Sequence, residues 1–136
     1  MKKFLVDTNL LLRFLLDDIP DQCEQVDKLF HQAQSETIQI QIESITIFEI
    51  QFALTKHYGF SKIHVIEGLR TIMSTGFFEI PERKALLLAI QYYESFNLSF
   101  ADTYLLARAK IERLEIHSFD RRLMSTWQKI NNPTAP

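Results

Sequence analysis

The sequence predicts an α/β domain in three layers with a mostly parallel sheet. Three observations carry that prediction. Short apolar runs alternate along the chain with longer segments of helical periodicity, the pattern of β–α–β units. The 136 residues include only 3 glycines and 4 prolines, about 5% against roughly 12% in ordinary usage. So few breakers favour long helices and short connections over a turn-rich all-β fold. Apolar residues make up 46% and charged residues 24%, values of a globular protein that exclude disordered, collagenous and low-complexity classes. The length suits one core, placed here at residues 1–130 as a single domain, with a frayed tail at 131–136.

Phe4-Leu5-Val6 reads as a buried strand, closed by the polar Asp7-Thr8-Asn9. Leu10 to Leu16 is apolar nearly all round and reads as a buried helix. Asp17 to Asp21 is a turn, with Pro20 and acids opening a second helix that runs to about Ser35. Cys23, Val26, Leu29, Phe30 and Ala33 share one face of that helix. Thr37 to Ile42 alternates strictly, which predicts a strand with one wet face or at a sheet edge. Ser44 caps a third helix to about Tyr58, stopped by Gly59. Ser61 caps a fourth through Met73, stopped by Gly76. Phe77 to Ile80 is a short strand closed by Pro81. Helices follow over Glu82–Phe96 and from Ser99 to about Leu114. Glu115-Ile116-His117-Ser118 reads as a last strand, and Asp120 caps a short helix to about Trp127. Phe48, Phe52, Phe77, Phe78 and Phe100 sit in apolar patterns and are expected in the core.

The formal net charge is −2, so no strongly basic balance announces a nucleic-acid binder. Acids outnumber bases up to residue 100, and bases outnumber acids beyond it. The single cysteine, Cys23, excludes an intramolecular disulfide and suits a reducing compartment. No run approaches a membrane span, and the N-terminal apolar run is cut short by Asp7. A cytoplasmic protein without a membrane segment is the expectation.

Four acids stand out. In α/β folds, ligands bind beyond the carboxyl ends of strands. Asp7 ends the first strand, and Asp120 follows the last. Asp102 and Glu49 lie in helices, where their neighbours three and four residues away are mostly apolar. Each acid also has a structural reading. Asp7 and Asp120 are good N-caps, and Ser99-Phe100-Ala101-Asp102 fits a capping box. Glu49 would then need an Arg or Lys partner from elsewhere in the fold, because a carboxylate on an apolar face is costly when unpaired. Read together, the four suggest one acidic pocket. Like charges about 4 Å apart repel by roughly 4 kcal/mol at an effective dielectric near 20, so such a pocket shares protons or binds cations. All-oxygen ligands select Mg²⁺ or Mn²⁺ over Zn²⁺. His31, His57, His64 and His117 form no HxxxH pair, and there is no GxSxG, GxGxxG or P-loop.

The same residues resemble the PIN domain family, and within it the VapC-type toxins of bacterial toxin–antitoxin pairs. Phe4 to Asn9 resembles the opening hydrophobic–D-T/S-N motif. Ser44 to Ile50 resembles the segment carrying a helical Glu. Phe100-Ala101-Asp102-Thr103-Tyr104-Leu105-Leu106-Ala107 is similar to the DAxxAA helix, and His117 to Leu123 to the closing T-x-D segment. Thr103 stands where Ala is commoner, and Ser118 stands for Thr but keeps the hydroxyl. The resemblance runs from Phe4 to about Leu123. It implies a central parallel sheet of four or five strands and Mg²⁺- or Mn²⁺-dependent ribonuclease activity. It also implies an RNA substrate, a homodimer and an inhibitory antitoxin.

In that pattern Asp7 and Asp102 are the principal metal ligands. Asp120 completes the site or holds a second ion, and Glu49 binds metal or its water. Asn9 and Ser118 orient carboxylates or water, or else serve as cap and turn residues. Arg108, Arg121 and Arg122 are candidate phosphate contacts, or else a solvated face. The alternative function is a catalytically silent PIN-like binding module. A phosphatase or receiver-like α/β domain has less support, because no matching Lys and Ser/Thr are identifiable.

Overall fold

A computed structural model describes residues 1–133. It divides into two compact units, one of residues Met1–Arg83 and one that begins at Lys84. The first unit opens with strand β1 (Lys2–Leu5), followed by helices α1 (Thr8–Leu16) and α2 (Pro20–Gln34). Strand β2 (Ile38–Gln41) leads into α3 (Ser44–Lys56) and α4 (Lys62–Met73), and strand β3 (Phe78–Glu79) closes the unit. The strands form a parallel sheet in the order β1-β2-β3. Lys2 lies opposite Ile38 and Leu5 opposite Gln41; Ile40 lies opposite Phe78. The α/β class with a parallel sheet is therefore as the sequence predicts.

Several expectations are corrected. The sheet has three strands among the described residues, not four or five. Residues 115–118 form no strand. Their one apolar side chain, Ile116, packs instead on a helical cluster, and Glu115, His117 and Ser118 stay exposed. A segment with one apolar residue has no alternating face to bury. Strand β2 is central rather than an edge. Its alternation reflects a wetter face on which Gln39 donates to the Glu79 carboxylate at 3.2 Å, while Ile40 on the other face is fully buried. Ser44 is not the cap of α3. Glu43 takes that position, and the Ser44 hydroxyl donates to the Glu82 carboxylate. The helix from Asp120 runs past Trp127 to Asn131. Of the expected tail, Pro133 is the last described residue, and 134–136 lie outside them.

The core of the first unit follows from helix periodicity. In α2, Cys23, Val26, Phe30 and Ala33 are buried at helical spacing. The rings of Phe14, Phe30 and Phe78 meet edge-to-face at centroid distances of 5.0 to 6.0 Å, joining α1, α2 and β3. Helix α1 packs on α2 and α3, and α3 on α4. Gly68 permits the last approach, since a Cβ there would stand 3.2 Å from a Leu54 methyl. The Arg83 guanidinium donates to the carbonyls of Met73, Thr75 and Phe78, satisfying acceptors left over at the end of α4 and beside β3.

The second unit holds α5 (Arg83–Ser95), α6 (Phe100–Glu112) and α7 (Arg121–Asn131). Leu98, Leu106 and Leu123 are its buried cluster, with Tyr92, Phe96, Trp127 and Ile130 packed on it. Ser99 caps α6 as predicted. At its other end Arg113 adopts the left-handed conformation at φ 56°, and the Leu114 amide donates to the Ala109 carbonyl at 2.9 Å, a Schellman-type closure. Glycine is the preferred residue there. Arg113→Gly is expected to raise the unfolding free energy by up to about 1 kcal/mol, read by urea titration; a fall would show that the Arg113 side chain itself secures the helix end.

Candidate active site

In the first unit the candidate residues sit where β1 hands over to α1. Asp7 has extended backbone (φ −95°, ψ 177°) and caps α1, its Oδ1 accepting the Leu10 amide at 3.0 Å. That bond occupies one carboxylate oxygen and leaves the other for a ligand. The structural and functional readings of Asp7 are therefore compatible.

Glu49 lies in the second turn of α3, and its Oε2 accepts the Thr8 hydroxyl at 2.6 Å. This contact links residues 41 positions apart and brings the α3 carboxylate to the start of α1. The sequence places Glu49 on an apolar face, and the structure corrects this. Thr46 and Ala53 point into the core, but Ile45 and Phe52 are exposed together with Glu49. No burial penalty forces a partner on Glu49. Its partner is a hydroxyl rather than an Arg or Lys.

Thr8 was not singled out by sequence reasoning. Its signal lay in the D-T-N triplet, where a hydroxyl directly after the first acid can reach a second carboxylate. Asn9 is exposed on the first turn of α1.

In the second unit Asp102 is half-buried on the first turn of α6, and its amide is held by the Ser99 hydroxyl at 3.1 Å. Only the serine half of the expected capping box forms: among the described residues the Asp102 carboxylate accepts no hydrogen bond. Asp120 is exposed and caps α7 through Oδ1 to the Leu123 amide at 3.0 Å. Ser118 fixes it from behind, its Oγ accepting the Asp120 amide at 2.9 Å.

The basic candidates differ in availability. Arg108 is tied up: it pairs with Glu112, donates to the Tyr104 hydroxyl at 3.0 Å and lies 5.7 Å from that ring. The Glu112 bond first, then the Tyr104 bond, raise its already high pKa, so it stays cationic. Arg122 donates to the Asn97 carbonyl at 3.3 Å. Arg121 is exposed at the start of α7.

Among the described residues, Asp7, Glu49, Asp102 and Asp120 form no ion pair with Lys, Arg or His. All four are oxygen donors with at least one oxygen uncommitted, a donor set suited to a hard divalent ion. Among the described residues, neither unit by itself gathers three such side chains closely enough to hold an ion. No helix among them is long and apolar enough to cross a membrane.

Comparison with known proteins identifies the family and a relative. The family model described as "PIN domain" matches residues 4–126. A curated protein described as "VapC ribonuclease", from Aquifex aeolicus (strain VF5), is 25% identical over 130 residues, covering 95% of this chain and 96% of that protein. No solved structure matches the chain significantly.

Proposed function

Because the chain belongs to the PIN domain family, we propose that it is a Mg²⁺- or Mn²⁺-dependent endoribonuclease, the toxin of a VapBC-type pair. Asp7, Glu49, Asp102 and Asp120 serve as its metal-binding carboxylates. The observation that carries this reading is that all four acids at the family's positions stand free of Lys and Arg among the described residues. Each therefore keeps at least one carboxylate oxygen available to a hard divalent ion. Support for the ribonuclease class comes from the relative described as a VapC ribonuclease, 96% of whose length the chain matches. The family model runs through both compact units, which supports a single domain over residues 1–130.

A bound divalent ion supplies Lewis-acid polarisation of a phosphoryl oxygen and a more acidic water. The chain's own residues do the rest. Asp7 and Asp102 act as principal ligands, with Asp120 completing the set. Glu49 would bind metal or hydrogen-bond its water, held in one orientation by Thr8. Ser118 fixes the backbone of Asp120, and Asn9 orients the carboxylates or water. Arg121 and Arg122 take substrate phosphates; Arg108, paired with Glu112, contributes less charge. RNA is the substrate, an antitoxin protein the inhibitor, and a cytoplasmic homodimer the working form.

The capping bonds of Asp7 and Asp120 would also suit a catalytically silent module. The two readings separate on one experiment. The purified chain is mixed with single-stranded RNA in Mn²⁺ or Mg²⁺, then in EDTA. Cleavage that EDTA abolishes and added Mn²⁺ restores is the expected result. Intact RNA under every condition would leave the silent module.

A further inference from the structure

Helix α3 presents to solvent a stripe that the ribonuclease reading uses at one point only. Ile45, Glu49, Phe52 and Lys56 are spaced at i, i+4, i+7 and i+11, so they share one face. All four are exposed, while Thr46, Ile47, Ile50, Ala53 and Leu54 fill the buried side. Phe52 is the anomaly. It stands in an apolar pattern that predicts core, yet it is 54% exposed, and among the described residues its ring contact is with His57, near-perpendicular at 5.7 Å. Lys56 forms no ion pair among the described residues. From Glu49, Phe52 lies about 4.5 Å and Lys56 about 10 Å along the helix axis.

We infer that Phe52 is a base-stacking residue, and Lys56 with His57 its phosphate-side companion, together reading the RNA next to the scissile bond. The inference rests on the ribonuclease function above, because it takes Glu49 as the reference point. An exposed aromatic ring beside a cation without an ion-pair partner is the arrangement by which proteins hold single-stranded RNA with little sequence readout. The charges are complementary to a polyanion: the stripe turns from acidic at Glu49, where metal would sit, to basic at Lys56 and His57. A second copy of the chain laid on this stripe would cover Glu49 and shut it off from metal and substrate, which disfavours that occupant.

The test measures binding of a single-stranded oligoribonucleotide carrying 2-aminopurine. It uses full-length protein bearing Asp7→Asn, so that the probe is not consumed. Phe52→Ala and Phe52→Leu are expected to weaken binding by about 5- to 100-fold, while Phe52→Trp retains it. Lys56→Gln is expected to reduce the slope of log Kd against log salt by about one. With the Asp7 carboxylate restored, Phe52→Ala raises KM and leaves kcat nearly unchanged. An unchanged Kd in Phe52→Ala and Phe52→Leu overturns the inference. So does a Phe52→Ala variant that sediments as a smaller species while binding RNA normally, since the stripe is then a face between copies. RNA binding that depends on Phe52, in a protein that cuts nothing in Mn²⁺, would sink the ribonuclease reading and keep the stripe. Normal cleavage indifferent to Phe52 would do the reverse.

Discussion

Asp7→Asn is expected to slow metal-dependent RNA cleavage by at least a factor of about 100, because a lost charged ligand removes several kcal/mol of transition-state stabilisation. The same substitution is expected to leave folding stability within about 1 kcal/mol, since Asn caps a helix as well as Asp and only the charge–dipole term changes. Asp7→Ala removes the bond to the Leu10 amide as well, and is expected to cost about 1 kcal/mol more than Asp7→Asn. Rates on a labelled RNA and urea titrations of the three proteins separate the two roles. If Asp7→Asn cuts RNA like the parent, Asp7 is a cap and nothing else.

Thr8→Val should carry the second largest effect. The Thr8 hydroxyl is the partner that Glu49 has at 2.6 Å, and valine keeps the shape without the donor. Loss of a group that orients a metal ligand typically costs 10- to 100-fold in metal affinity or activity, so a rise of about that size is expected in the Mn²⁺ concentration giving half-maximal rate. Thr8→Ser, which restores the donor, should recover most of it. An unchanged Mn²⁺ dependence in Thr8→Val would mean that Glu49 holds its place without Thr8.

Local features of this molecule are legible in its sequence. Ser61, Ser99 and Asp120 act as helix caps where expected, because a cap is decided by a side chain and an amide three residues on. The run of Cys23, Val26, Phe30 and Ala33 shows its buried face for the same reason. The acids at 7, 49, 102 and 120 are legible through their order and the motifs around them.

What sequence reading misses depends on partners far along the chain. The neighbours of Glu49 look apolar on all sides, yet which of them meets solvent is set by how α3 packs on α1 and α4. Phe52 is misread for that reason. Residues 115–118 follow a helix as a strand would, but their one apolar side chain, Ile116, joins a helical cluster instead. Thr8 could be assigned its contact only once residues 8 and 49 were seen together.

On the proposed reading Asp7 and Asp120 are engaged twice, as caps and as metal ligands, and this has an evolutionary corollary. On that reading one side chain serves both architecture and chemistry. The two roles come apart along the two oxygens of the same carboxylate: one is spent on an amide of the chain, and the other is uncommitted among the described residues. An amide isostere keeps the first and forfeits the charge of the second. Descendants of such a protein can fall silent without becoming less foldable, which gives this scaffold a ready route from enzyme to inert decoy.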